Sequence, residues 1–235
     1  MCNVKTWPGS RGSSRVDERT ACWRGAYIPR MAKEIILVGG MPTAGKSTIA
    51  LTLSGHLGLP WVSTDQIGAV MRAVAPRASH DDLFTWDDRG DFRYLDEQTA
   101  AEIVDAEFAK GEAVWPGVRK LIEEDHTWAD GFIVEGDDVL PHLVARDLSD
   151  SPHVSAVFIG DFDIGRTRTV VFERNFVGED ARAYADEVKE REIRWILAYG
   201  EELRAQAQEH RMPWVEVRKD EHDLARVLEA LGRGQ

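Results

Sequence analysis

The sequence predicts an α/β protein in which a parallel sheet carries helices on both faces, and two observations support this class. Short apolar runs rich in β-branched residues recur along the chain, separated by stretches long enough for helices. The first run leads through a glycine-rich loop directly into a helical pattern. With 235 residues, the chain is long enough for one such domain with a sizeable core.

Five apolar runs are predicted to be the strands of this sheet. They lie at residues 34–38, 61–63, 132–135, 154–159 and 214–217. The intervals between them contain helical patterns at 47–56, 66–75, about 96–110 and, after Trp115-Pro116-Gly117, at 118–125. Strands that alternate with helices in this way are typical of parallel sheets.

The loop GGMPTAGKST after the first strand fits the pattern G-x-x-x-x-G-K-[ST]. Its glycines let backbone N–H groups point inward, and the N-terminus of the next helix also attracts phosphate. Lys46 can reach the β- and γ-phosphates of a nucleotide, and the Ser47 hydroxyl can bind Mg²⁺. The alternative is a glycine-rich turn with a solvated lysine, which the agreement of strand, loop and helix disfavours. The predicted nucleotide-binding residues are Gly40, Met41, Pro42, Thr43, Ala44, Gly45, Lys46, Ser47 and Thr48.

The composition disfavours several other classes of protein. A net charge of −12 is unsuited to a nucleic-acid surface, and no apolar run approaches the length of a membrane span. The seven histidines have no metal-binding spacing. Cys2 and Cys22 both precede the first predicted strand, so the core is expected to have no disulfide, cysteine nucleophile or thiolate zinc site. This cysteine usage fits a reducing, cytoplasmic location.

Residues 1–30 differ from the rest of the chain in charge. They carry a net charge of +4, whereas residues 31–235 carry −16. Because the first 30 residues also have no hydrophobic periodicity and no apolar signal segment, we predict a disordered tail there. Residues 31–235 would then form the folded domain, and Met31 is a hypothetical true or alternative start.

An acid and a base lie two turns apart on the helix predicted after the second strand. The segment WVSTDQIGAVMR places Asp65 and Arg72 on one side, ~10 Å apart along the axis, with only small residues between them. Ser63 and Gln66 also fit a capping box, and Arg72 also fits a solvated helix face. The position of Asp65 at the carboxyl end of a strand favours a functional role for this acid. The opposite, apolar side is predicted to contain Ile67, Val70, Met71 and Val74.

Two further segments contain candidate functional residues. In FIVEGDDVLPH, Glu135 ends a strand and can hold a magnesium-bound water or orient an attacking hydroxyl, whereas Asp137 and Asp138 are assigned to a loop or a cap. In GDFDIGRTRTVVFERN, lid arginines could neutralise a transferring phosphoryl group, and a charged helix surface is the equally favoured alternative. The lid candidates are Arg166 and Arg174, followed by Arg168.

In order and spacing, GGMPTAGKSTIA, STDQIGAVMR and IVEGDDVLP resemble the small P-loop kinases, most closely the 2-phosphoglycerate kinase group. The resemblance covers about residues 35–174. It implies a three-layer P-loop NTPase fold with a five-stranded parallel sheet of order 2-3-1-4-5, an acceptor-binding region at about 65–130 and a lid at about 160–180. It also implies that the phosphate loop holds ATP and Mg²⁺ and that Asp65 and Arg72 face the acceptor. EGDD stands where relatives have an EGVH-like sequence, and residues 76–128 have no clear match.

These features together predict an ATP- and Mg²⁺-dependent kinase whose acceptor is a small anionic hydroxy compound of the 2-phosphoglycerate type. Lys46, Asp65, Glu135, Arg166 and Arg174 are its predicted catalytic residues, and Ser47 and Glu135 its metal ligands. A nucleoside or nucleotide kinase, an antibiotic-type phosphotransferase, an ATPase and an ATP-regulated binding protein remain alternatives. A GTPase is disfavoured, because neither Asn3 nor Asn175 precedes a lysine, as a guanine selector would require. A monomer or a homodimer is expected, with no nucleic-acid or membrane partner.

Overall fold

The computed structural model describes residues 33–86, 94–124, 128, 130–173, 175–176, 179–180 and 185–234. These residues belong to the compact unit Met31–Gln235. The predicted tail, the hypothetical start at Met31 and the lid candidate Arg174 lie outside the described residues.

The described strands form one parallel sheet and one short hairpin. The strands are β1 (Glu34–Gly40), β2 (Trp61–Ser63), β3 (Gly131–Glu135), β4 (Val154–Gly160), β5 (Asn175–Phe176), β6 (Glu179–Asp180) and β7 (Trp214–Glu216). The five-stranded sheet has the order β2-β3-β1-β4-β7, and every pair in it is parallel. This is the predicted order 2-3-1-4-5, so the predicted fold class is confirmed. The antiparallel pair β5–β6 is separate from the sheet.

Helices cover both faces of this sheet. They are α1 (Lys46–Leu57), α2 (Thr64–Val74), α3 (Tyr94–Glu97), α4 (Ala100–Glu123), α5 (Pro141–Leu148), α6 (Ile164–Glu173), α7 (Asp186–Glu209) and α8 (Asp223–Ala230). Helix α1 packs with α8, whereas α7 packs with α4 and α5. The central strand β1 is accordingly buried along both faces, since Ile35, Ile36, Leu37 and Val38 are all fully buried.

The prediction of two helices around Trp115-Pro116-Gly117 is wrong, because α4 runs through this segment without a break. The helix begins with a capping box in which the Thr99 hydroxyl accepts from the Glu102 N–H at 3.3 Å and the Glu102 carboxylate accepts from the Thr99 N–H at 2.7 Å. Pro116 costs about 3 kcal/mol in a helix interior. Burial of Trp115 and Val118, its neighbours in the helix, offsets that cost.

The predicted apolar side of α2 is only half correct. Ile67 and Met71 pack against the core, whereas the side chains of Val70 and Val74 are exposed. The side of α2 that faces α4 contains Gly68, where a Cβ would lie 3.4 Å from the Val114 side chain. The side of α2 between Asp65 and Arg72 therefore contacts α4 at the buried Gly68 and is not fully open.

Gly117 on α4 allows the same close approach from the other side. A Cβ at this position would lie 2.5 Å from the Met71 sulfur and 2.9 Å from the Ile67 side chain. Contacts this short require the side chains of α2 to shift. The packing of α2 against α4 thus depends on Gly117, and α2 carries Asp65 in its first turn.

We predict that Gly117→Ala lowers the free energy of unfolding by about 1–2 kcal/mol through overpacking, despite the better helix propensity of alanine. Gly55→Ala is the matched control, because a Cβ on this α1 residue meets nothing within 4 Å. The control should gain about 0.5–1 kcal/mol. Urea denaturation of both variants measures the difference, and an equal gain for both would show that α2 does not need this glycine.

Candidate active site

The parallel sheet brings candidate residues from several strands to one edge. The phosphate loop follows β1, Asp65 follows β2, Glu135 ends β3 and Asp161 follows β4. Glu135 is paired in register with Val38 of β1 and with Ser63 of β2. Carboxyl ends of parallel strands are where ligands of open α/β sheets bind.

The phosphate loop has the backbone geometry of an anion cradle. Thr43, Gly40 and Gly45 all have positive φ angles, of 66°, 146° and 92°. A Cβ on Gly40 would lie 2.2 Å from the Ile159 carbonyl oxygen, so only glycine fits there, and the space over Gly45 is open. Gly45 is also the N-cap of α1 and has no side chain to bond the N–H groups of the first turn. These groups are placed to bind phosphate oxygens.

Lys46 lies at the mouth of this cradle with its charge already engaged. The residue is 8% exposed. Its ammonium donates to the Met41 carbonyl oxygen at 3.1 Å and lies 2.5 Å from a carboxylate oxygen of Asp137. A nucleotide phosphate that binds Lys46 would therefore have to compete with the Asp137 carboxylate.

Ser47 and Glu135 provide the oxygen ligands that a magnesium ion prefers. The Ser47 hydroxyl donates to the Glu135 carboxylate at 3.2 Å. Burial raises the pKa of Glu135, while the charge of Lys46 and hydrogen bonds from Ser63 and Ser47 oppose the rise. Among the described residues, no three His, Cys, Asp or Glu side chains form a metal cluster. The pair fits Mg²⁺ of the kind that completes its shell with phosphates and water.

Asp65 and Arg72 lie on α2 as predicted, in different surroundings. The Asp65 N–H donates to the hydroxyl of the N-cap residue Ser63 at 3.3 Å. Desolvation by the surrounding protein raises the pKa of the Asp65 carboxyl, and repulsion from the Asp137 charge raises it further. The Arg72 guanidinium reaches back over Gly68 and donates to the Leu83 carbonyl oxygen at 3.4 Å. Arg72 is thus tied to a neighbouring turn and is not a freely solvated charge.

A buried ion network behind Asp137 was missed from the sequence. The Lys110 ammonium on α4 lies 3.1 Å from the Glu107 carboxylate and 3.3 Å from the Asp138 carboxylate. Burial raises the pKa of Glu107, and although burial alone lowers the pKa of Lys110, the carboxylates outweigh it and raise this pKa. Asp137 and Asp138, which the sequence assigned to a loop or a cap, do lie in a turn after β3. They also form ion pairs, with Lys46 and Lys110 respectively. The i, i+3 spacing of Glu107 and Lys110 was the only local signal.

A cavity of about 580 Å³ lies on the β7 side of the phosphate loop. Thr48 and Thr52 of α1, Val170 of α6, and Lys219 and Leu224 from the segment after β7 are among its lining residues. Its size and its mixture of apolar and polar walls suit a small ligand such as a nucleoside. The cavity borders Gly45, so such a ligand would continue into the phosphate cradle.

Two of the candidate lid arginines, Arg166 and Arg168, lie in ion pairs within the chain. Arg166 donates to the buried Asp161 carboxylate from Nη2 at 2.7 Å, and from Nη1 to Asp163 at 3.1 Å. Lys219 also lies 3.5 Å from Asp161. Arg168 pairs with Glu190 and stacks on the Phe172 ring. A role of these arginines in phosphoryl transfer stays a prediction.

Comparison with known proteins supports the resemblance. The chain is 30% identical to a 2-phosphoglycerate kinase of Methanococcus maripaludis strain C5 over 152 residues, which are 62% of this chain and 48% of that protein. It is 31% identical to a 2-phosphoglycerate kinase of Methanocaldococcus jannaschii over 151 residues, 64% of this chain and 47% of that protein. The predicted similarity to the 2-phosphoglycerate kinases is thereby confirmed. The chain spans about half the length of the curated relatives it matches.

Solved structures give a weaker likeness. A gluconokinase from Sinorhizobium meliloti 1021 has a TM-score of 0.48 at 16% sequence identity, covering 85% of this chain and 92% of the gluconokinase. No protein-family model matches the chain.

We predict that Asp161→Asn destabilises the fold by about 1–2 kcal/mol, because a neutral amide replaces the charged acceptor of Arg166 and Lys219, whose side chains are 36% and 31% exposed and can be partly solvated. Burial alone would raise the pKa of Asp161, but the Arg166 guanidinium outweighs it and lowers this pKa below the ordinary 3.8. The stabilisation is therefore complete at neutral pH and disappears as the pH falls through the lowered value.

Denaturant unfolding of the wild type and Asp161→Asn between pH 2 and pH 7 measures this difference. Asp163→Asn is the control, since its side chain is 45% exposed and its pair with Arg166 should contribute less than about 1 kcal/mol. A difference between the wild type and Asp161→Asn that does not shrink in acid would contradict the ionised pair.

Proposed function

We propose that the chain is a kinase that transfers the γ-phosphate of ATP, with Mg²⁺, to a hydroxyl of a small anionic acceptor of the 2-phosphoglycerate type. The observation that carries this proposal is the position of the phosphate loop. It follows the central strand β1, with the nucleoside-sized cavity towards β7 and Asp65 towards β2. A nucleotide and an acceptor can thus approach Lys46 from opposite sides.

Each residue has a defined task in this proposal. Backbone N–H groups of the loop and the Lys46 ammonium bind the phosphates, and Lys46 follows the charge that moves with the phosphoryl group. Ser47 and Glu135 would hold Mg²⁺, directly or through water. The chemistry that Mg²⁺ supplies when bound is neutralisation of charge on the β- and γ-phosphate oxygens.

Asp65 and Arg72 act on the acceptor. The Asp65 carboxylate orients the attacking hydroxyl and accepts its proton, and the surrounding protein raises the pKa of this carboxyl towards the range useful for a base. Arg72 binds an acidic group of the same molecule. The names of the curated relatives support a phosphorylated hydroxy acid as the acceptor. A nucleoside monophosphate and an antibiotic-type alcohol are the alternatives.

The partners and the cellular location of the protein stay predictions, and one structural finding concerns the membrane. Among the described helices, none is long and apolar enough to cross a membrane. A cytoplasmic location, action on small molecules and a monomeric or homodimeric state stay part of the proposal.

ATP consumption, measured with and without 2-phosphoglycerate and a panel of other hydroxy acids, nucleosides and sugars, tests the proposal. Turnover that requires an acceptor identifies a kinase. Turnover without any acceptor would identify an ATPase, and nucleotide binding without turnover would identify an ATP-regulated binding protein.

We predict that Lys46→Ala lowers acceptor-dependent turnover by roughly 10²–10³-fold, because it removes a donor aimed at the charge of the transition state. Lys120→Ala is the matched control, since this lysine of α4 is 63% exposed. The control should retain wild-type turnover. Near-native turnover in Lys46→Ala would refute the assignment of the phosphate loop as the catalytic site.

We predict that the two residues of α2 affect different kinetic constants. Arg72→Ala should raise the acceptor KM by about 30-fold, equivalent to about 2 kcal/mol of charge-assisted hydrogen bonding, and leave the ATP affinity nearly unchanged. Asp65→Asn should instead lower kcat. Because the pKa of Asp65 is raised, the acid limb of the wild-type kcat profile should lie above the ordinary aspartate value of 3.8.

Steady-state kinetics of both variants between pH 4 and pH 9 measures these effects, and thermal unfolding controls for the bond between Arg72 and Leu83. An unchanged acceptor KM in a folded Arg72→Ala variant would place Arg72 in a purely structural role. A wild-type kcat at pH 7 in Asp65→Asn would exclude Asp65 as the base.

A further inference from the structure

Asp137 neutralises the lysine that the phosphate loop offers to a ligand. Its carboxylate oxygen lies 2.5 Å from the Lys46 ammonium, whose side chain is only 9% exposed. An ion pair this short between largely buried groups is strongly attractive, because little water screens the two charges. Any phosphate that binds Lys46 must first break this ion pair or share it.

The turn that presents Asp137 is fixed on three sides. Gly136 has a φ of +151°, and a Cβ there would lie 1.9 Å from the Thr64 hydroxyl, so the turn packs directly on the start of α2. The fully buried Tyr199 donates its hydroxyl hydrogen to the Asp137 carbonyl oxygen at 2.9 Å. On the other side, Asp138 is paired with Lys110 at 3.3 Å. The backbone of Asp137 therefore cannot move far when Lys46 changes partner.

This fixed position has an electrostatic consequence. When a phosphate binds Lys46, the Asp137 carboxylate remains beside the negative charge of the phosphate. Asp65 and Glu135 interact electrostatically with Asp137 and add negative charge to the site. The Lys110 ammonium also interacts with Asp137, but it is already paired with the carboxylates of Glu107 and Asp138. Two like charges in a partly desolvated site repel strongly unless a cation lies between them. A divalent cation that arrives with the nucleotide can supply that charge.

We propose that Asp137 determines which phosphate ligands the loop accepts. By competing for Lys46, it disfavours phosphate compounds without a divalent cation and selects nucleotides that bring one. This selection rests on the proposed nucleotide-binding function. It gives the turn after β3 a specificity role in addition to the roles of the loop and of Glu135.

Isothermal titration calorimetry with ADP, in the presence of either Mg²⁺ or a chelator, tests this role without turnover. Asp137→Asn removes the charge but keeps both the side-chain shape and the carbonyl that accepts from Tyr199. Without Mg²⁺, the Kd of this variant for ADP should be about tenfold lower than that of the wild type, the equivalent of one weakened ion pair. With Mg²⁺, its Kd should change less than about threefold.

Two further variants complete the design. Asp137→Ala removes the same charge by a different side chain and should change the metal-free Kd in the same direction. Asp105→Asn is the matched control, because this residue of α4 is exposed and removes an equal charge away from Lys46. Its Kd for ADP should equal that of the wild type under both conditions.

The possible results separate the selection from the proposed function. Nucleotide binding with an unchanged metal-free Kd in both Asp137 variants would overturn the selection and leave the kinase proposal intact. Wild-type protein that binds ADP equally well with Mg²⁺ and with chelator would overturn it without any variant. Wild-type protein that binds no ADP under either condition would overturn both the proposed function and the selection.

Discussion

The buried charge of Lys46 is the constraint on which the arrangement of the site depends. An ammonium that is almost fully desolvated requires partners, and here they are the Met41 carbonyl oxygen and the Asp137 carboxylate. Asp137 can serve only because Gly136 packs on Thr64 and because Tyr199 holds the turn. The requirements of one lysine therefore connect the loop after β1, the turn after β3 and the long helix α7.

The sequence predicted the sheet well because the signals for its strands are local. Each strand is a short apolar run, and parallel connections through helices follow from the alternation of elements. Two errors arose where tertiary contacts outweighed local signals. Pro116 does not end α4, because Trp115 and Val118 beside it are buried, and α2 does not bury Val70 and Val74, because Gly68 and Gly117 set its orientation. Neither outcome can be derived from hydrophobic periodicity alone.

In the candidate site, too, the residues with local sequence signals were predicted and those brought together by tertiary contacts were missed. The phosphate loop was predictable because its glycines, Lys46 and Ser47 are defined by spacing within one loop, and Glu135 was predictable from its place at a strand end. The network of Glu107, Lys110 and Asp138 was missed because its members come from two elements, α4 and the turn after β3. A sequence shows that acids follow a strand, but it does not show which cation they meet.

In the proposed function, in which Asp65 is the base, the geometry of α2 bears on the size of the acceptor. Along the helix axis, Asp65 and Arg72 are ~10 Å apart, which is longer than a three-carbon acid. However, side chains on a helix point towards its N-terminus, and the Arg72 guanidinium lies 3.2 Å from the position of a Cβ on Gly68, only one turn beyond Asp65. The absence of a side chain at Gly68 thus lets Arg72 shorten the distance between the base and the cation. A hydroxyl and an acidic group separated by a few bonds can then reach both residues at once, as a compact hydroxy acid requires.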